Sequence, residues 1–264
     1  MRRVPDRLKR YFKGALGLRT LVVVFLLVWL AGPLAALARD ALRGGWDVFW
    51  DALTLPSAAA AIKLTLGTAA ATAALNTVMG TIIAYTLVHY EFPGRRALNA
   101  LIDVPFAVPG VAAGAALVIL LGPRGGVGRW EGVVAALLFV SLPLVVRAVQ
   151  PVLLEMGRGR EGAFPVGASE ADLFFRVVLP RILPAVAAGA VMTFALAVGE
   201  FAAVVLVSGN IPLRTETVAV YALGEIECDN PVGAGAVSVL MIAASVLLGF
   251  LAEAWFSRRP ERAC

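Results

Sequence analysis

The sequence predicts an all-α, polytopic membrane protein with six transmembrane helices, and three observations predict it. Of the 264 residues, 60% are hydrophobic and only 16% charged, and the mean hydropathy of +0.85 lies far from that of a water-soluble domain. The charges gather between apolar blocks instead of along one face of each block. No apolar run alternates with a period of two, so helices, which satisfy every backbone group within one segment, are the structures that fit a bilayer here. The length accommodates about six spans of roughly 20 residues with short connections. Little remains for a folded extramembrane domain.

The first span, Thr20 to Leu37, follows a basic leader and ends near Ala36-Leu37-Ala38, a pattern shared with cleaved secretory signals. The run is long and its basic leader extends to Arg19, which favours a retained helix; cleavage would leave the other five spans in the same orientation. The second span, Ala58 to Val88, and the fifth, Leu183 to Val207, are the longest and are expected to tilt. Along the second, Thr65, Thr68, Thr72, Asn76 and Thr77 are spaced so that several share one face. Such residues pack helices in membranes, and they are also the neutral donors from which an anion path is built. His89, at the end of this span, reads as a head-group-level histidine, since a metal site needs several ligands at fixed spacing.

The third span, Leu98 to Leu121, contains Asp103, Pro105 and Pro109, the last followed by Gly110. Two prolines four residues apart remove backbone donors and open the helix; the opening either faces an aqueous path or is a packing kink. The fourth span is Gly132 to Leu153 and the sixth Val232 to Trp255. Within the fifth, Gly199 precedes Glu200. An intramembrane carboxylate is costly and faces a bundle interior or a wet cavity. It is also a poor ligand for a divalent anion, so Glu200 reads as a gate or helix-packing group, with Arg147 as its candidate partner.

Of the 23 Lys and Arg residues, 17 fall in the N-terminal tail, Arg95 with Arg96, the stretch from Arg147 to Arg181 and the C-terminal tail. The opposite side has Arg39, Arg43, Lys63, Arg124, Arg129 and Arg214. This bias places both termini and a loop over 154–182 in the cytoplasm of a multi-pass cell-membrane protein. Residues 1–57 are read as tail, first span and outer loop, 58–256 as the transmembrane domain with its cytoplasmic loop, and 257–264 as a cytoplasmic tail. The net charge of +5 is accounted for by arginines at span ends, facing lipid head groups. No nucleic-acid partner is implied.

The chain has no G-x-x-x-x-G-K-[ST] loop, so any work with ATP is done elsewhere. It also lacks a nucleophile elbow, a zinc-protease helix and a Cys/His pair, so it carries no visible catalytic parts and no cofactor or metal site. Cys228 and Cys264 are assigned to opposite sides and cannot pair.

The most informative stretch is Glu161 to Pro180, a polar, partly basic loop between two apolar segments. It suggests a short amphipathic helix, a turn at a glycine, a second helix, and a proline stopping it before the next span. The loop holds Glu161, Gly162 and Ala163, then Gly167, Ala168 and Ser169, then Val177, Leu179 and Pro180; of these, Glu161, Ala163, Gly167, Val177, Leu179 and Pro180 are in register with the E-A-A…G…aliphatic-x-Leu-Pro signature that they resemble, that of ABC importer membrane subunits. Gly162 in place of the second alanine, and Pro165 in the first short helix, depart from it. Further blocks are similar to sulfate/thiosulfate importer permeases: Asn76-Thr77-Val78-Met79-Gly80, Phe92 to Arg96, Leu101 to Pro109 and Val145 to Pro151. Val198 to Phe201 and Ser208 to Pro212 are shared with molybdate and tungstate permeases; Asp103-x-Pro105 and the long second span lean toward sulfate.

The resemblance implies a type I ABC importer transmembrane domain working by alternating access. It implies two ABC ATPase subunits that carry ATP and Mg and grip the loop as a coupling helix, with Glu161 at its polar contact and Gly167 at its turn. It also implies a second permease subunit, a copy or a homologue, and an extracytoplasmic oxyanion-binding protein that holds most of the selectivity. Asn76, Thr77, Asp103, Pro105, Pro109, Gly199 and Glu200 are the candidate path or gate residues. The rival classes are an ion-gradient-driven secondary transporter, which predicts inverted repeats with paired broken helices, and a membrane assembly factor. The sequence displays no convincing repeat, and the opened third span has no evident counterpart in the second half.

Overall fold

The computed structural model describes residues 17–158 and 170–257, among which helices alternate with short connections and no strand occurs. Both charged termini lie outside them. The helices are α1 (Gly17–Ala41), α2 (Gly45–Thr54), α3 (Pro56–His89), α4 (Arg95–Leu101), α5 (Val104–Ala107), α6 (Gly110–Leu121) and α7 (Trp130–Arg158). Then come α8 (Phe174–Gly199), led in by a helical turn at Glu170–Leu173, α9 (Val204–Val207), α10 (Val218–Glu227) and α11 (Pro231–Ser257). Five of these are long and apolar enough to cross a bilayer: α1, α3, α7, α8 and α11. The sixth span is the broken series α4, α5 and α6.

Prolines set most of the boundaries. Pro56 opens α3 after Leu55, whose φ of −52° and ψ of 135° are the extended geometry that a following proline imposes. Phe92-Pro93-Gly94-Arg95 forms a type II turn: Gly94 has φ +89°, and the Arg95 N–H donates to Phe92 O at 3.2 Å. Only glycine takes that position without strain. Val108, held extended before Pro109, separates α5 from α6. Pro33 and Pro180 are absorbed differently. Each follows a wide π-turn, Leu27–Ala31 and Phe174–Val178, in which Gly32 N donates to Leu27 O and Leu179 N to Phe174 O. The widened turn re-houses carbonyls that a proline cannot satisfy.

Packing centres on α3, α7 and α8. Glycines bring the three together: a Cβ on Gly80 of α3 would lie 2.7 Å from Val145 Cβ, and one on Gly189 of α8 would lie 2.9 Å from Val145 Cα. Val145 of α7 is thus gripped from both sides. Two apolar cores follow. One joins Ala84, Leu87, Ile102, Val149, Leu153, Val178 and Ile182 near the 159–169 segment. The other joins Ala41, Phe49, Leu53, Ala58, Val133, Val207, Tyr221 and Val237 at the opposite end. Leu75, Val78, Met79 and Ile82 form an exposed stripe on α3. With the exposed residues of α1, they supply the apolar surface that a bilayer-embedded bundle presents.

The structure corrects four expectations. The fifth span does not run to Val207; it ends at Gly199, and Glu200 is extended, with φ −71° and ψ 120°. This break is a counterpart, in the second half, to the opened third span. Pro180 does not stop a helix before the next span, because helix is continuous from Glu170 to Gly199 and Pro180 sits in the first turn of its α-helical part. The stretch between the first two spans contains α2, with Phe49 and Leu53 buried one turn apart and Trp46 and Trp50 exposed. The connection before the last span contains α10, whose inner face is Val218, Tyr221 and Ala222.

Candidate functional site

Within the loop whose register carries the sequence argument, Glu161, Gly162, Ala163, Gly167, Ala168 and Ser169 lie outside the described residues. What the structure defines is how that segment is held. It leaves from the end of α7 and re-enters at Glu170, and both flanks are locked into the nearer core. Leu87 of α3, Leu153 of α7, and Val178 and Ile182 of α8 are all at most 1% exposed. An aromatic series ties the re-entry point to the end of α3. The Phe174 ring meets the Tyr85 ring edge-on at 5.0 Å, and Tyr85 stacks on His89 at 4.0 Å. Leu179 is half-buried and Pro180 exposed. On either side of that segment, α7 and α8 are therefore joined to α3 as close-packed bodies.

Arg147 does not pair with Glu200, contrary to the expectation from the sequence. Its Nε donates to Asp103 Oδ1 at 2.8 Å, and its Nη2 donates to Asp103 Oδ2 and, at 2.8 Å, to the backbone oxygen of Asn99. Nη1 donates to Asn99 Oδ1 at 2.9 Å and to Gln150 Oε1. A guanidinium has five N–H donors, and all five are used. Asn99 O is available because α4 ends at Leu101 and the Asp103 N–H turns back to Ala100 O at 3.1 Å. The side chains that assemble this network lie at 99 and 103, in α4 and the turn that follows it, and at 147 and 150 on α7. Those are helical spacings, a signal the sequence contains, but Asn99 and Gln150 were not singled out.

Glu200 has a local role. Its backbone is extended and its Oε1 accepts the Ala203 N–H at 2.9 Å, the arrangement of a helix N-cap, starting the short helix α9. A Cβ on Gly110, the first residue of α6, would lie 3.6 Å from the same oxygen. A carboxylate is favoured beside helix N-termini, which accounts for an acidic residue at this depth. The two breaks meet here: α6 packs on α9, and a Cβ on Gly114 would come within 2.7 Å of Ala203 O. Pro109 is the N-cap of α6, Pro105 is buried in α5, and Gly199 is exposed at the end of α8. The opening of the third span is thus closed by protein on one side.

The hydroxyl face of α3 packs helices. Thr65 Oγ1 accepts the Val218 N–H at 2.9 Å, and the hydroxyls of Thr68 and Thr77 donate to Leu64 O (2.8 Å) and Ala73 O (2.6 Å) in their own helix. Asn76, 2% exposed, donates to Ser141 Oγ of α7 at 2.8 Å. The buried hydroxyls of Thr72 and Thr193 have no hydrogen-bond partner among the described residues. At the opposite end, in the connection before α10, burial pushes the Glu216 carboxyl above its usual range, with the Glu225 carboxylate adding to it.

Residues 76–262 match the family model described as binding-protein-dependent transport system inner membrane component. The chain is 37% identical to the sulfate transport system permease protein CysT of Escherichia coli (strain K12), over 95% of this chain and 94% of that protein. It is equally similar to the protein of that name from Salmonella typhimurium, and 34% identical to that of Synechocystis over 86% of this chain and 84% of the relative. In structure it is similar to a chain of a bacterial ABC transporter involved in the import of the acidic polysaccharide alginate. That match has a TM-score of 0.68 at 17% identity and covers 97% of this chain and 100% of the other; at that identity it bears on the fold alone.

Proposed function

The chain belongs to the family of binding-protein-dependent transport system inner membrane components, and from that membership we propose that it is the membrane-spanning subunit of an ATP-driven importer for sulfate. It is a transport subunit and not itself an enzyme. The observation that carries the substrate is the 37% identity, over nearly the full length of both chains, to permeases named for sulfate transport. Thiosulfate is a chemically close cargo, and molybdate and tungstate are the competing oxyanions.

In this reading two permease subunits, a pair of copies or this chain with a homologue, enclose the path. Two ATPase subunits grip the 159–169 segments from the cytoplasm, where both termini also lie. ATP binding draws the segments together and turns the cavity toward the extracytoplasmic binding protein; hydrolysis resets it. The differential affinity that drives the switch is that of the ATPase subunits for nucleotide in the two states. Arg147, saturated by its own partners, offers no free donor to hold the anion. Passage then depends on neutral hydroxyls, amides and backbone N–H groups, as a path requires if the ion is to leave again.

The test is uptake of radiolabelled sulfate into proteoliposomes containing the permease, with and without its ATPase and binding protein. Uptake is expected only with both partners and ATP, and excess molybdate is expected to leave it unchanged. Uptake driven by an ion gradient without the ATPase contradicts the proposal in favour of a secondary carrier. No uptake in any condition favours an assembly role.

A further inference from the structure

We propose that Arg147 and Asp103 form a clamp that passes the motion of the 159–169 segment to the broken third span, which makes Arg147 a positioning residue for transport. The inference rests on the importer function, because the clamp has work to do only if that segment is pulled.

The placement of the pair carries the argument. Arg147 lies on α7 four residues before Pro151, and a proline has no N–H to return to the carbonyl four residues back. Helix α7 is therefore relieved of one internal hydrogen bond at Arg147, between the body of the span and the turns that lead to the 159–169 segment. On the other side of the clamp, Asp103 sits in the connection between α4 and α5. Asn99 contributes both its side chain and its freed backbone oxygen from α4. The guanidinium thus grips the third span by its own unsatisfied backbone, with no donor left over.

Beyond the clamp, the third span leads through Pro105 and Pro109 to Gly110 and Gly114. Those two glycines abut Ala202 and Ala203 at the break in the fifth span, next to Glu200. From α7 through the Arg147 network to the paired breaks, the elements therefore touch in series. The exposure of the clamp fits a part that opens and closes: the Arg147 and Asp103 side chains are 31% and 50% exposed. Neither side chain is sealed in the core, where separating the pair would strand a buried charge.

Contact in series is not coupling, so the test measures coupling. Sulfate carried per ATP hydrolysed is determined for the reconstituted complex with Asp103→Asn, with Arg147→Gln, with both together and with Arg147→Lys, after checking that each variant reaches the membrane and binds the ATPase. Each single change is expected to lower the ratio about tenfold while hydrolysis continues, and the double variant is expected to fall no further, because either change alone opens the same clamp. Arg147→Lys keeps the charge but not the two-pronged grip, and is expected to fall with the others. Three results overturn the clamp: a wild-type ratio in the single variants, a multiplied loss of about a hundredfold in the double, or uptake and hydrolysis falling together at an unchanged ratio. A wild-type complex that shows no ATP-driven sulfate uptake is a different failure; it overturns the importer function, and the clamp with it.

Discussion

Glu161→Ala and Gly167→Pro are each expected to abolish ATP-driven sulfate uptake while the protein remains in the membrane at its normal level. The argument joins sequence to structure. The 159–169 segment is short and polar, and both of its flanks are anchored: Leu153, Val178 and Ile182 are buried against Leu87, and Phe174 meets Tyr85 edge-on. In the proposed importer, a pull between these anchored flanks is expected to reach α7 and α8. Its capture by a partner depends on its own shape and charge. Alanine at 161 removes the carboxylate expected to make the polar contact. Proline at 167 fixes φ near −65° where the register calls for a glycine turn, and it removes an N–H. Neither change touches a described core residue, so insertion and folding are expected to survive. Uptake assays alongside immunoblots of membrane fractions check this, and wild-type uptake by both variants defeats the coupling assignment.

Gly114→Val is expected to disrupt the paired breaks and destabilise the whole bundle. A Cβ there would sit 2.7 Å from Ala203 O, 3.2 Å from its Cα and 3.3 Å from its carbonyl carbon. All three are backbone atoms, which cannot rotate away as a side-chain tip can. Valine adds two methyl groups beyond that Cβ, so α6 and α9 have to separate. Overpacking of this kind costs about 1–3 kcal/mol, and separation also strains the hydrogen bond from Ala203 N to Glu200 that starts α9. Thermal denaturation of the detergent-purified protein is expected to show a lowered Tm and reduced uptake. Gly249→Val is the control, because nothing among the described residues lies within 4 Å of a Cβ at that position; its Tm is expected to stay near that of the parent. Equal Tm values for the two variants contradict the close approach of the breaks.

The long spans were legible because lipid leaves a helix few alternatives, and the unbroken run of α3 from Pro56 to His89 falls within two residues of the expected limits. The opening of the third span was legible for a similar reason, since prolines write their effect into the sequence. The break at Glu200 was not. It has no proline, and it depends on a carboxylate capping a helix of four residues and on Gly110 and Gly114 admitting that helix closely, neither of which is visible without the packing. The interfacial helix α2 was not legible although Phe49 and Leu53 are one turn apart, because Asp47 and Asp51 next to its tryptophans break the apolar run. The partner of Arg147 was misassigned for lack of distance information: Asp103 is nearer in the fold than Glu200, although both are equally plausible as carboxylates. The hydroxyl face of α3 was legible as a face; Thr65 and Asn76 bond across to neighbouring elements, while Thr68 and Thr77 bond within their own helix.

The most direct measurement of the central claim, that force enters through a cytosolic segment between the fourth and fifth spans, uses the exposed Cys228 at the end of α10 as a built-in reporter. Ala163→Cys is introduced together with Cys264→Ser, and a membrane-impermeant maleimide is applied to intact cells and, separately, to permeabilised ones. The account predicts that Cys228 is labelled in intact cells and that the cysteine at position 163 is labelled only after permeabilisation. Labelling of position 163 from outside intact cells, with Cys228 protected, contradicts it.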